Sequence, residues 1–148
     1  MLHGYALLAL LLVAVALIVG AFPLKAFVGN ALGGLGLGLV AVFILAAALK
    51  TTLGSSTVSI HTTAGIVAPL LSNLGLAGTW GSVFAVLAIG AGSMTVSHAN
   101  DSYFWIITEF SDMEASTAYQ AWTLATLALG ITSIVWIVVL DHVVVALT

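Results

Sequence analysis

The sequence predicts an all-α, polytopic membrane helix bundle with broken or re-entrant helices, and three observations carry that prediction. Of 148 residues, 62% are hydrophobic and 5% charged, with a mean hydropathy of +1.29; soluble domains carry about 25% charge. From Thr51 to Asn100 there is no Asp, Glu, Lys or Arg at all. Two polar stretches, KTTLGSSTVSIHTTAG (Lys50 to Gly65) and SHAND (Ser97 to Asp101), interrupt runs of almost pure hydrocarbon. No water-soluble fold of this length hides so much apolar surface, so the solvent is lipid. A crossing takes about 20 residues, which allows roughly four to six.

Composition also excludes. A net charge of −3 argues against nucleic acid as a partner, and the absence of cysteine removes disulfides and thiolate chemistry. Arginine is absent and Lys25 and Lys50 are the only firm cations, too few to orient the chain by the positive-inside rule. No cofactor is called for.

The chain reads as one transmembrane domain, 1–148, with spans at about 5–22, 33–50, 58–74, 80–97 and 118–141, and a half-helix at 102–110. Segment 5–22 is uncharged; no basic residue precedes it and no small-residue cleavage site follows, which favours a span over a signal peptide. Pro23 and Lys25 mark an interfacial break. The second span opens with GGLGLGL, where Gly34 and Gly38 are spaced for close helix contact, the alternative being a flexible entry. The third contains Pro69 and ends in the turn-like NLGLAG, Asn73 to Gly78. The fourth begins at Trp80, an interfacial anchor. Residues 102–110 are too few to cross. Ser111 and Glu114 match a capping box for the last helix, with Asp112 beside them at its positive end. Trp122 near one interface and Asp141–His142 at the other bound that helix.

The two polar breaks hold the candidate site. An interrupted helix in lipid leaves unpaired backbone groups that cost several kcal/mol each, so it persists only against protein or a watery cavity. Gly54 supplies backbone freedom, and Ser55 or Ser56 caps a new helix start. Its free N–H groups and dipole form an anion site, with Lys50 adding charge attraction. Thr57, His61, Thr62 and Thr63 belong to the same dense polar run. Hydroxyls in membrane helices also serve as helix glue or bond to the preceding turn, and that reading stands for any one of them. In the second break, Ser97, His98, Asn100, Asp101 and Ser102 follow fifty uncharged residues. A charge inside the membrane marks function. His98 and Asp101, three apart, share one face on a continuing helix, and either takes a proton when burial moves its pKa. Alternatively, Asn100 or Asp101 simply caps the half-helix that follows.

Metal binding is not expected, because His61, His98 and Asp101 offer no i, i+4 ligand pair. No G-x-S-x-G elbow is present, and the chain does not read as an enzyme.

FILAAALKTTLGSSTVSIHTTAGIVAPLL (Phe43 to Leu71) and AIGAGSMTVSHANDSYFWIITEFSDM (Ala88 to Met113), continued by TAYQAWTLATL, resemble the C-terminal part of the gluconate permease family. The match covers about Leu35 to Val145. The resemblance implies proton-coupled symport of gluconate or a related sugar acid across the inner (plasma) membrane. It also implies a much longer carrier built as two inverted halves, of which this chain is a fragment or one half of a split carrier. Under it, Lys50, Gly54, Ser55, Ser56, Thr57, His61, Thr62, Thr63, Ser97, Asn100 and Ser102 bind substrate, and His98 and Asp101 couple protons. A complementary chain or a second copy covers the polar face. The alternative is a non-transporting helical subunit that only packs against a partner.

Overall fold

A computed structural model describes residues 37–147, and every described element is helical. The expected span at 5–22, Pro23, Lys25 and Gly34 lie outside the described residues. Helix α1 (Gly38–Leu53) is apolar up to Leu49, with alanines and leucines between its β-branched residues, and ends at Gly54. Gly54 turns left-handed (φ 67°) and donates its N–H to the Lys50 carbonyl at 2.9 Å, a C-cap that glycine adopts without a Cβ penalty. Helix α2 (Ser56–Val67) starts at once, with Ser55 as N-cap accepting from the Val58 N–H. It gives way to a tighter 3₁₀ turn, Ala68–Leu70, that holds Pro69. Twelve residues rise only about 18 Å, well short of a bilayer's hydrocarbon thickness.

Helices α1 and α2 fold back on each other around the Gly54–Ser55 tip. The Ser59 hydroxyl, early in α2, donates to the Ala46 carbonyl in α1 at 2.8 Å. After bends with positive φ at Gly75 and Gly78, α3 (Thr79–Ser93) packs along α1. Gly92 permits that approach: a Cβ there would overlap the Phe43 carbonyl and Ala46. Gly38 likewise lies against the Leu74 carbonyl, so this glycine serves close contact rather than a loose entry. Leu39, Val42 and Phe43 of α1, Phe84, Ala85 and Ile89 of α3 and Ile134 and Ile137 of the last helix form the core.

Helix α4 is Ser102–Phe110. The last helix, α5 (Ala115–Leu147), has 33 residues and is long and apolar enough to cross a membrane. Val135, Trp136, Val139 and Val143 stand exposed along it, as lipid-facing side chains do. A single π turn, Tyr119–Thr123, interrupts its first part. The capping box expected at Ser111 and Glu114 does not form. Ser111 closes α4, its N–H bonded to the Ile107 carbonyl, and Glu114 is itself the N-cap residue of α5 without a side-chain cap bond. The positive φ of Asp112 turns the chain between the two helices and brings the start of α5 forward.

Candidate functional site

The two polar breaks meet. Because Gly54 stops α1, the carbonyls of Thr51 and Thr52 lose their helical partners, and the second break supplies donors. Asn100 Nδ2 donates to the Thr51 carbonyl at 2.7 Å, and His98 Nε2 lies 3.2 Å from the same oxygen. Gly54 rests against the Asn100 carbonyl so closely that a Cβ would collide with it. The hairpin tip is thus seated on the loop between α3 and α4.

Asp101 is the hub of the joint. One carboxylate oxygen, Oδ1, accepts the Tyr103 N–H at 3.1 Å and so caps α4. The other, Oδ2, accepts from Lys50 Nζ at 2.5 Å and from the Ser97 hydroxyl at 2.6 Å. Lys50 is 2% exposed, so two charges are removed from solvent as a hydrogen-bonded pair. Asp101 is the cap of α4, one of its two sequence readings, and the same side chain is half of the ion pair. His98 and Asp101 do not share a helix face, because α3 ends at Ser93 and the chain between them is a turn.

Ser97 is held on both sides of its backbone. Its N–H donates to Thr126 Oγ1 at 3.1 Å, and its carbonyl accepts from the Thr123 hydroxyl at 2.7 Å. Val96, just before it, has φ 55°, a left-handed conformation that a β-branched residue adopts only under strain and that clusters at functional sites. The strain turns Ser97 towards α5 and Asp101 together.

A cavity of about 520 Å³ opens at this junction, within the size range of small-molecule sites. Lys50, Gly54, Ser55, Ser56, Ser97, Asp101 and Ser102 form its polar side. The N-termini of α2, at Ser55 and Ser56, and of α4, at Ser102, both border it. The remaining predicted residues lie elsewhere. Thr57, His61 and Thr62 are exposed on the outer side of α2, with His61 Nδ1–H donating to the Thr57 carbonyl at 2.8 Å. Thr63 is fully buried in line with Ser59 and Val67. His98 and Asn100 clamp the joint rather than line the cavity.

Sequence reasoning missed the opposite wall: Met94, Tyr103, Ile106, Trp122, Thr126 and Leu129. Trp122, expected near one interface, packs on Tyr103, ring centroids 5.8 Å apart, in the cavity wall. One signal was available, since Trp122 and Thr126 are four apart and share a helix face.

Joined helix breaks around a cavity bordered by two helix N-termini, in a chain this apolar, are an arrangement that membrane transporters build around their substrate sites. The chain matches the family model described as GntP family permease over residues 24–144, and it belongs to that family. Among similar proteins, the "Uncharacterized permease YojA" of Bacillus subtilis is 41% identical over 65% of this chain and 21% of its own length. The "Gluconate permease" of the same organism is 34% identical over 85% of this chain and 26% of its own. The "Low-affinity gluconate transporter" of Escherichia coli K12 is 35% identical over 69% and 23%. The chain thus spans about a quarter or less of the length of these relatives. Their names are those of transporters, and the chain is a membrane protein of a permease family rather than an enzyme. No solved structure matches it.

Proposed function

We propose that this chain carries the substrate site of a gluconate permease, taking gluconate or a related hydroxy-carboxylate across the inner membrane together with protons. The observation that carries this reading is the convergence of the α2 and α4 N-termini on one cavity. Ser55 and Asp101 each take one first-turn N–H of these helices, and the dipoles and remaining first-turn N–H groups attract a carboxylate. Gluconate is the substrate named for several relatives, which supports the class and disfavours a purely packing subunit.

The ion pair suggests how protons enter. Lys50 borders the cavity but is neutralised by Asp101. Protonation of Asp101 dissolves the pair and leaves the ammonium facing the cavity, where an arriving carboxylate replaces the lost partner. Substrate and proton affinities then rise together, as linkage requires. His98, bonded to Thr51 at the same joint, is the second candidate for the proton.

In this reading α1, α3 and α5 cross the bilayer as a multi-pass domain and the α1–α2 hairpin is re-entrant. The whole is one half of an inverted repeat, and its cavity is closed by a complementary chain or a second copy. Uptake of labelled gluconate into vesicles bearing this chain tests it. An inward proton gradient should drive accumulation, and cross-linking should capture an oligomer. Accumulation by a strictly monomeric species contradicts the need for a facing partner, and gradient-independent uptake contradicts proton coupling.

A further inference from the structure

We propose that Thr126, together with Thr123, is a positioning residue of the proton site: from α5 the two hydroxyls hold Ser97 so that its own hydroxyl stays on Asp101. This rests on the reading above of Asp101 as the group that takes the proton. Ser97 lies past the end of α3, in a stretch without regular structure, and it is buried. Its N–H and C=O therefore have no helical partners, and one neighbouring helix claims both. The N–H donates to Thr126 Oγ1 at 3.1 Å, and the carbonyl accepts from Thr123 Oγ1 at 2.7 Å. Three residues apart, the two threonines share a face of α5. Thr126 is itself fixed, since its hydroxyl donates to the Thr123 carbonyl at 3.0 Å.

A buried backbone needs such partners in any case, but two further observations take the clamp beyond packing. Val96, the residue before, keeps φ 55°, a strained conformation that persists only where the surroundings fix it. Ser97 Oγ, carried by that clamped backbone, donates at 2.6 Å to Asp101 Oδ2, the oxygen that also accepts from Lys50. A donor fixed on a carboxylate favours its ionised form. A donor free to drift favours it less, so cutting the clamp makes Asp101 take its proton at higher pH. By linkage, protonation of Asp101 also weakens its tie to α5, the helix long enough to cross the membrane. The other titratable groups around Asp101 are Lys50 from α1, His98 from its own loop and Tyr103 from α4. Neither α2 nor α5 presents one to the cavity, so the threonines act on Asp101 through Ser97 and not through charge.

The test is carboxyl ¹³C NMR on the full chain in detergent micelles, without substrate. The chain has three aspartates, Asp101, Asp112 and Asp141, and Asp101→Asn assigns the signal. Thr126→Val keeps the shape and removes the hydroxyl. It should raise the titration midpoint of Asp101 by about one pH unit, the scale of a hydrogen bond to a charged acceptor. Thr126→Ser, which restores the hydroxyl, should titrate as the wild type does. In a Ser97→Ala background, Thr126→Val should move the midpoint no further. Thr123→Val, which frees only the Ser97 carbonyl, reads the same upward shift should Thr126→Val not fold. An unmoved midpoint in the valine variants, an equal shift with Thr126→Ser, or a shift that persists without the Ser97 hydroxyl overturns the positioning role. A midpoint that moves as expected, with a calorimetric gluconate affinity that ignores pH, supports the clamp and overturns the proton coupling proposed above.

Discussion

Lys50 and Asp101, 51 residues apart in sequence, meet in a buried ion pair that ties the hairpin tip to the broken helix: Nζ stands 2.5 Å from Oδ2. Neither break has its geometry without the other, because the pair, the Asn100 clamp on Thr51 and the Gly54 contact all cross the same seam.

Removing one partner leaves the other charge buried and uncompensated, at a cost of about 3–5 kcal/mol. Lys50→Met should therefore destabilise the chain severely in thermal unfolding in detergent. The double variant Lys50→Met/Asp101→Asn should recover much of the loss, since no charge remains to desolvate. A double variant as unstable as the sum of the singles would show that the pair is not coupled.

Asp101→Asn keeps an acceptor oxygen for the Tyr103 N–H and turns its Nδ2 to the Ser97 hydroxyl, which then accepts instead of donating, but it cannot titrate. Uptake by the wild type should fall as external pH rises, because the Lys50, Ser97 and Tyr103 contacts hold Asp101 ionised and it takes a proton only together with an arriving carboxylate. The variant, compared at equal amounts of folded protein, should have a flat profile. A wild-type pH profile in the variant would leave Asp101 only as the cap of α4.

Val96 holds a φ of 55°, which costs a non-glycine residue about 1–2 kcal/mol. Val96→Gly should raise the unfolding temperature while preserving the Ser97 contacts with Thr123 and Thr126. A lowered unfolding temperature would mean that the valine side chain contributes more by packing than its backbone loses.

What was legible in the sequence follows from the range of the interactions. The breaks at Gly54 and at Ser97–Asp101 showed themselves because lipid tolerates neither free backbone nor isolated charge, and composition alone reports both. Ser55 as a cap is a local matter of three residues, and it too was readable. The pairing of Lys50 with Asp101 was not, since nothing local links positions half a hundred residues apart. Lys50 was read as adding charge attraction for substrate, and its pairing with a carboxylate was not foreseen. The polar run after Ser56 was read as one cradle, but a helix distributes consecutive side chains around its axis. Ser56 therefore reaches the cavity while His61 and Thr62 point outward and Thr63 is buried. Trp122 was placed by the general habit of tryptophan at interfaces, and the π turn that brings it to the cavity has no clear sequence signature.

The central claim is that the seating of the hairpin tip on the second break creates the carboxylate site, and Gly54 tests it most directly. Gly54 needs both its left-handed φ and its missing Cβ, which would otherwise strike the Asn100 carbonyl. The decisive measurement is calorimetric affinity for gluconate in wild type and Gly54→Leu, with membrane insertion checked in parallel. The account predicts that the variant inserts normally and shows no detectable binding. An inserted variant that binds gluconate with wild-type affinity would contradict it.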